Sequence, residues 1–225
     1  MTFAALAALL LAVNLAFAIR STAIALRSSG YVLRKHPRIR SARATEEPLL
    51  SIVVPARNEE RQIEQCVQSL LALEYADFEV IAVDDRSTDA TLQILDRIAE
   101  DDRRLRVVGG EALPPHWVGK PWALVQGAEH ARGEWLLFTD ADTVHARESA
   151  QEAVAYALAR RLDVLSLLTD QVMITPAERM FLPSILWTIA FAIGSLAAMN
   201  DPRSEAALFN GQYILVRRTA YDAVG

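Results

Sequence analysis

This 225-residue chain has two acidic clusters, one of which has the spacing of oxygen ligands for a cation. Asp140 and Asp142 are one residue apart and directly follow an apolar run, so both carboxylates can reach one hard divalent ion. Such an ion can bind a diphosphate and neutralise its charge. Asp84 and Asp85 follow a second apolar run, and converging acidic clusters are costly unless a cation or hydrogen-bond donors lie between them. The spacing indicates a cation site, with one of the second pair free to accept hydrogen bonds from a base or ribose.

The segments around these carboxylates alternate between apolar runs and helical apolar spacing from Leu49 onward. The predicted strands are 49–54, 78–83, 105–108, 135–139 and 164–168. The predicted helices are 59–73, a helix capped by Ser87, Thr88 or Asp89, 122–131 and 148–160. This alternation predicts an α/β fold with a mostly parallel sheet covered by helices on both faces. Ligands of such sheets bind beyond the carboxyl ends of the strands, where the acidic clusters and the segment 57–59 lie.

The N-terminal segment predicts a membrane anchor. Residues 2–19 carry no charge, and eighteen helical residues span about 27 Å, close to the thickness of the bilayer core. Six arginines and one lysine, with no acidic residue, occur in residues 1–45, which predicts that the C-terminal side is cytoplasmic. We therefore expect a transmembrane helix at 1–26, a basic linker at 27–48 and an inner-membrane location with a cytoplasmic catalytic domain. A signal peptide and an Ala-rich core helix are the alternatives, although a signal peptide carries its positive charge before the apolar run.

Composition excludes several classes of protein and one class of partner. The chain is 52% hydrophobic, which excludes a disordered protein, and Cys66 is the only cysteine, which excludes an intrachain disulfide. Beyond residue 45 there are 16 basic and 28 acidic residues, so no nucleic-acid partner is expected. A second uncharged run at 180–200 is interrupted by Pro183 and Gly194, which favours an interfacial or re-entrant helix over a simple span. A buried helix of the globular domain is the alternative for this run.

Five segments, in order along residues 49–225, carry a resemblance to a known enzyme family. They are 53–60, 83–89, 119–124 followed by Gly127, 138–142 and 209–218. The set resembles the family 2 glycosyltransferases, although Arg86 stands where many members have glycine. The runs Asp-Asp-Arg-Ser and Gly-Lys-Pro-Trp-Ala resemble the branch of ceramide glucosyltransferases and hopene-associated or carotenoid glycosyltransferases.

This resemblance implies a GT-A, Rossmann-like fold over 49–225 and transfer of a hexose with inversion. It also implies a nucleotide-sugar donor, with a UDP-sugar favoured, and a divalent cation, Mg²⁺ or Mn²⁺. The residues it places at the donor are Pro55, Arg57, Glu59, Asp84, Asp85, Lys120 and Asp140. It gives Asp142, with Asp140, the role of cation ligand, and it puts Asn210 and Gly211 on the acceptor side. The apolar runs favour a lipid acceptor at the membrane.

The catalytic base is missing from the matched segments. The family implies a carboxylate that deprotonates the acceptor hydroxyl, placed after the segment 209–218. Asp222 comes too early and has the pattern of a surface helix position, and Asp201 precedes a proline in a turn-like sequence. We therefore expect the base beyond Gly225, in a domain that is incomplete at its C-terminus, binds donor and transfers little sugar.

The same residues are also compatible with other functions. In a haloacid dehalogenase-type phosphatase, Asp140 would attack phosphorus and Asp142 would act as the acid. A membrane-anchored module that binds nucleotide sugars without turnover would also fit a chain that lacks a base. Nucleotidyl transfer is a third possibility, but the acidic body and the predicted anchor oppose it. At the level of single residues, Asp140 could be a turn residue, Lys120 a solvated lysine, and Asn210-Gly211 a plain turn.

Overall fold

The computed structural model describes residues 47–179, 181 and 209–224. The predicted anchor at 1–26, nearly all of the linker 27–48 and all of the 180–200 run except Phe181 lie outside these residues. Within the described residues, no helix has the length and apolar character needed to cross a membrane. The chain contacts divide it into two units, of which Pro37–Thr169 with Phe209–Gly225 contains the sheet.

The described residues of this unit form six strands in one sheet. The strands are β1 (Leu50–Ala56), β2 (Phe78–Asp84), β3 (Leu105–Gly109), β4 (Trp135–Thr139), β5 (Val164–Ser166) and β6 (Tyr213–Arg217). Their order is β3-β2-β1-β4-β6-β5. The first four neighbours pair in parallel, whereas β6 is antiparallel to both β4 and β5. The predicted mostly parallel sheet is confirmed, and β6 is a strand that the sequence patterns did not predict.

Five helices accompany the strands within the described residues of this unit. They are α1 (Ile63–Leu71), α2 (Thr91–Asp101), α3 (Gly119–His130), α4 (Ser149–Arg160) and α5 (Arg218–Val224). Apolar residues of α1, α2 and α4 belong to one core cluster, and those of α3 and α5 belong to or pack against a second cluster. Successive residues of β1 alternate between the clusters, with Ile52 and Val54 in the first and Val53 in the second. The helices therefore cover both faces of the sheet, as predicted.

The central strands are buried on both faces, which explains their nearly continuous apolar sequences. All residues of β2 and β4 are buried, as are six of the seven in β1. Helix α3 lies close against the sheet because Gly127 has no side chain: a Cβ there would lie 2.3 Å from Val53 Cγ1. This close packing fixes the start of α3 beside the carboxyl ends of β1 and β2.

Several element boundaries differ from the sequence prediction. Helix α1 begins at Ile63 rather than at 59, α3 begins at Gly119 rather than at 122, and β5 ends at Ser166 rather than at 168. The prediction that Ser87 or Thr88 caps α2 was wrong. The Ser87 hydroxyl accepts a hydrogen bond from the Asn58 N–H, and Thr88 donates to the Asn58 side chain. Asp89 does accept the Thr91 N–H at the start of α2.

Candidate functional site

An open pocket of about 320 Å³ lies at the carboxyl ends of the parallel strands. Its lining residues are Pro55, Ala56, Arg57, Glu59, Asp85, Gly119, Lys120 and Ala123. They come from the end of β1, the loop after it, the residue after β2 and the first turns of α3. The pocket therefore occupies the crevice where ligands of parallel sheets bind. It includes five residues that the sequence assigned to the donor.

The loops after β1 and β2 are tied together on one side of this pocket. Arg57 Nη1 lies 3.3 Å from Asp85 Oδ2, and the Glu59 N–H donates to Thr91 Oγ1 at 2.8 Å. Asn58 and Arg86 each have a positive φ, of 57° and 56°. A residue with φ in this left-handed region is usually glycine, so Arg86 makes the turn that many family members make with glycine. It keeps the tight turn and adds a guanidinium whose Nε lies 3.4 Å from Asp85 Oδ1.

The two aspartates after β2 have different roles in the structure. Asp85 is 6% exposed, lines the pocket and faces two guanidinium groups. Asp84 is not a lining residue: its Oδ2 accepts the Ser87 N–H at 3.2 Å, and its carbonyl accepts the Gly110 N–H at 2.8 Å. Among the described residues, Asp84 Oδ1 has no hydrogen-bond partner. Asp85 is thus placed to meet a ligand, while Asp84 holds the turn beneath it.

Lys120, the second residue of α3, connects the pocket to the loop after β4. Lys120 Nζ donates a hydrogen bond to Asp140 Oδ1 in an ion pair. A Cβ on the preceding Gly119 would lie 3.2 Å from Asp85 Oδ2, and one on Gly211 would lie 3.9 Å from Lys120 Nζ. Lys120 is therefore a paired lysine at the point where both acidic clusters and the 209–212 segment meet.

The carboxylates of Glu59, Asp140 and Asp142 lie close enough together for their charges to interact. Burial raises the pKa of Glu59, and the negative charges of Asp142, Asp89 and Asp140 raise it further. Asp142 is exposed, and Asp140 is partly exposed beside Lys120. No group of three or more potential ligands is preassembled for a metal within the part of the chain that the structure describes. The carboxylate oxygens of Asp140 and Asp142 are of the ligand type that a hard divalent cation takes.

The backbone of the Asp140–Asp142 loop is held from behind by polar residues that the sequence analysis missed. The Asp140 carbonyl accepts hydrogen bonds from the Thr143 hydroxyl at 2.7 Å and from Cys66 Sγ at 3.5 Å. His145 Nε2 lies 3.0 Å from Thr139 Oγ1, and burial lowers the pKa of His145 to about 4. Burial also raises the pKa of Cys66 to about 12. The signal in the sequence was the cluster of hydroxyl and imidazole groups around the Asp-x-Asp pair.

The acceptor-side candidates lie in the turn before β6. Asn210 Nδ2 donates to the Leu167 carbonyl at 3.0 Å, and the Asn210 carbonyl accepts the Tyr213 N–H at 3.2 Å. The Asn210 side chain thus helps to close the turn, while Gly211 is the residue that approaches Lys120. Asp222, in α5, is exposed and lies 3.9 Å from Arg218, as expected for a surface helix position.

Comparison with known proteins supports the sequence resemblance. A family model described as Glycosyl transferase family 2 matches residues 51–224. The chain belongs to this family. The match favours the glycosyltransferase interpretation over a haloacid dehalogenase-type phosphatase, which would leave the Asp85 side of the pocket without a role.

Two members of glycosyl transferase family 2 are similar to this chain over part of their own length. The 4,4'-diaponeurosporenoate glycosyltransferase of Staphylococcus haemolyticus is 27% identical over 176 residues, which are 76% of this chain and 45% of that protein. An uncharacterized glycosyltransferase of Haemophilus influenzae is 30% identical over 115 residues, which are 51% of this chain and 44% of that protein. The chain thus spans less than half the length of these two curated relatives.

One solved structure shows the same fold. The mannosyltransferase PcManGT from Pyrobaculum calidifontis, solved in complex with GDP-Man and Mn²⁺, superposes with a TM-score of 0.60 at 22% identity. The superposition covers 93% of this chain and 58% of that one. The fold is therefore the GT-A-like α/β fold that the resemblance implied.

Proposed function

We propose that this chain binds a nucleotide-sugar donor and forms the donor half of a hexosyltransferase. The observation that carries the proposal is that Asp85 and Lys120 line one pocket at the carboxyl edge of the sheet and that Lys120 pairs with Asp140 beside it. Asp85 sits beneath the guanidinium of Arg57, which suits a carboxylate that accepts hydrogen bonds from a base or ribose. Lys120 is a half-exposed ammonium at the pocket mouth, which suits contact with phosphate oxygens.

Asp142 and Asp140 are the residues that would hold a divalent cation in this proposal. Bound there, Mg²⁺ or Mn²⁺ would neutralise the charge that develops on a departing diphosphate. Both ions accept oxygen ligands, so the donor set suits either. PcManGT, which has the same fold, was solved with Mn²⁺ and GDP-Man. A UDP-sugar remains our favoured donor.

We also propose a lipid acceptor and transfer with inversion at the cytoplasmic side of the membrane. The apolar runs at 2–19 and 180–200 support a membrane-associated enzyme. The relative from Staphylococcus haemolyticus is named for action on diaponeurosporenoate, which supports the carotenoid branch of the resemblance. In addition, Leu113, Trp117 and Val118 are exposed in the loop that leads into the pocket at Gly119. Apolar side chains at that position suit an acceptor with a hydrocarbon chain.

The experiment that tests the donor proposal is calorimetric titration of the detergent-purified chain with UDP-glucose and GDP-mannose, with and without Mn²⁺. We expect Mn²⁺-dependent binding of one donor in the wild type and its loss in Asp142→Asn. Asp96→Asn removes the same charge from an exposed position in α2 and is the matched control. If the chain binds neither donor, or if Asp142→Asn binds as tightly as Asp96→Asn, the proposed site is wrong.

A further inference from the structure

A polar cluster of one buried and two partly buried side chains lies directly behind the Asp140–Asp142 loop. Thr139 Oγ1 and Thr143 Oγ1 are 2.9 Å apart, and His145 Nε2 lies 3.0 Å from the first and 3.1 Å from the second. Thr139 is 1% exposed. Polar groups this deep are costly unless each has a partner, so the direction of every hydrogen bond in the cluster matters.

The number of hydroxyl protons and carbonyl acceptors in the cluster indicates which group donates in each hydrogen bond. The Thr139 hydroxyl lies 2.9 Å from the Gln212 carbonyl, and the Thr143 hydroxyl lies 2.7 Å from the Asp140 carbonyl. A carbonyl can only accept, so each hydroxyl donates its one proton to a carbonyl oxygen. Both hydroxyl oxygens are then acceptors toward the imidazole. With both hydroxyl protons directed at carbonyls, the 2.9 Å contact between Thr139 Oγ1 and Thr143 Oγ1 holds no hydrogen. A hydrogen on His145 Nε2, shared between the two oxygens, supplies the donor that both then lack, so this arrangement favours the Nε2–H tautomer of the neutral ring.

Other contacts hold the imidazole in place. The His145 backbone N–H donates to Ser69 Oγ at 3.0 Å, which attaches the segment to α1. The ring packs against Tyr213 of β6, with the ring centres 5.8 Å apart. Desolvation disfavours the imidazolium form of the partly buried ring. These contacts hold His145 between α1 and β6, in surroundings that favour its neutral ring.

The cluster connects two parts of the site that are far apart in the sequence. Through Thr143 it holds the carbonyl of Asp140, and through Thr139 it holds the carbonyl of Gln212. On the pocket side, Lys120 pairs with Asp140 and lies next to Gly211. The Asp140–Asp142 loop and the 210–212 turn are therefore joined from behind, and Lys120 lies beside both on the pocket side.

We propose that His145 is a positioning residue: its Nε2–H locks Thr139 and Thr143 so that the cation-binding loop and the 210–212 turn keep one fixed relation. This inference rests on the proposed donor site at Asp140 and Asp142. Groups that orient metal ligands from behind contribute strongly to metal affinity although they never touch the ion. His145 would act in this way through the backbone of the loop.

The tautomer can be measured without any ligand. Long-range ¹H–¹⁵N correlation spectra of the purified chain at pH 7, assigned with a His145→Gln variant, report which ring nitrogen of His145 carries the proton. We expect a neutral ring protonated on Nε2. An Nδ1–H tautomer or an imidazolium at this pH would overturn the proposal, whether or not the chain binds a nucleotide sugar.

A matched pair of variants tests the positioning role. His145→Gln can present an amide N–H near the place of Nε2, whereas His145→Leu fills the space without a donor. We expect His145→Leu to weaken Mn²⁺ binding in the presence of UDP by about 10- to 100-fold, measured by the EPR signal of free Mn²⁺, and His145→Gln to restore most of it. Equal Mn²⁺ affinity in the wild type and His145→Leu would contradict the proposal.

A second pair covers the case in which His145→Leu does not fold. Thr143→Ser keeps the hydroxyl that holds the Asp140 carbonyl, and Thr143→Val removes it with little change of shape. We expect only Thr143→Val to lose Mn²⁺ affinity and to shift the amide resonances of Asp140 and Gly211, with melting temperatures recorded for both. Unchanged resonances in Thr143→Val would contradict the proposal. Absence of Mn²⁺ binding by the wild type would instead refute the proposed function, and the tautomer measurement would still decide the inference.

Discussion

The ammonium of Lys120 is paired with the carboxylate of Asp140, which joins the first turn of α3 to the end of β4. A cation at a helix N-terminus opposes the helix dipole, so this position is unfavourable for a lysine unless an anion lies opposite. Asp140 supplies that anion in the structure. A diphosphate in the pocket would offer Lys120 a second anionic partner at the same place.

Lys120→Met should weaken donor binding while hardly changing stability. The Lys120 side chain is 49% exposed, and an exposed ion pair contributes at most about 1 kcal/mol to the free energy of unfolding. We expect a loss of about tenfold or more in affinity for UDP, because a charge-assisted contact to phosphate is removed. Calorimetry and urea unfolding measure the two effects. Lys120→Arg keeps the charge and should retain most of the affinity, and equal UDP binding by Lys120→Met and the wild type would exclude Lys120 from the site.

Gly110→Ala should destabilise the turn that carries Asp84 and Asp85, and Gly109→Ala should not. A Cβ on Gly110 would lie 2.9 Å from the Asp84 carbonyl oxygen and 3.0 Å from Asp85 Cα, whereas nothing lies within 4 Å of a Cβ on Gly109. The backbone must shift to accommodate the first methyl group, at a cost of about 1–3 kcal/mol. Urea unfolding of the two adjacent variants gives a direct comparison. Equal stability of Gly110→Ala and Gly109→Ala would show that the Asp84–Asp85 turn can shift to accommodate the methyl group at little cost.

A separate cluster at the opposite edge of the sheet should affect stability alone. Ser51 Oγ donates to Glu79 Oε1 at 2.7 Å and accepts the Gly133 N–H at 2.7 Å. Burial raises the pKa of Glu79, but hydrogen bonds from Arg132 and Ser51 outweigh this and hold the pKa below its ordinary value. Ser51→Ala should therefore lower the free energy of unfolding by about 1–3 kcal/mol at pH 7 and leave donor binding unchanged.

The pH dependence of that cluster has a defined sign. A carboxyl whose pKa is lower in the folded state stabilises the protein above its unfolded pKa, about 4.3 for Glu. That stabilisation is lost as the pH falls through the folded value. The stability difference between the wild type and Ser51→Ala should accordingly shrink below about pH 4. Glu79→Gln, which cannot titrate, is the control. A difference that shows no decrease with falling pH before the wild type itself unfolds would contradict the assignment.

Local sequence patterns predicted the parallel part of the fold well. Strand β4 has the predicted bounds, Trp135–Thr139, because a strand buried on both faces has a continuous apolar sequence. The carboxyl ends of β1, β2 and β4 meet at one edge, so Asp85 and Asp140 were predicted to converge. Lys120 was assigned from the family resemblance, and the ion pair with Asp140 is a contact that spacing alone does not give.

What the patterns missed depends on long-range pairing. Strand β6 lies between β4 and β5 although 73 residues separate Thr139 from its hydrogen-bond partner Gln212. No local period reports where a distant segment inserts, and 209–218 had been assigned as a motif and not as a strand. The proposed role of His145 was hidden for the same reason, because one of its two hydroxyl partners, Thr139, donates to a carbonyl contributed by that distant segment.

Leu113→Ser should weaken contact with a lipid, and Leu92→Ser should not. The two leucines are 42% and 40% exposed, but Leu113 precedes the pocket-lining Gly119 and Leu92 lies in α2. Trp117, in the same loop as Leu113, packs against Trp122 with ring centres 5.3 Å apart and supplies a fluorescent reporter. Amphipathic aromatic rings of this kind prefer the interface of a bilayer.

The measurement is quenching of tryptophan fluorescence by brominated phospholipids, with the whole chain reconstituted in vesicles. The quenching that disappears in Trp117→Phe is the part due to Trp117. We expect Leu113→Ser to reduce that part and Leu92→Ser to leave it unchanged, because only the first removes apolar surface next to the reporter. If Trp117 is not quenched in the wild type, the loop does not meet the bilayer, and an acceptor approaching the pocket from the aqueous side becomes the better proposal.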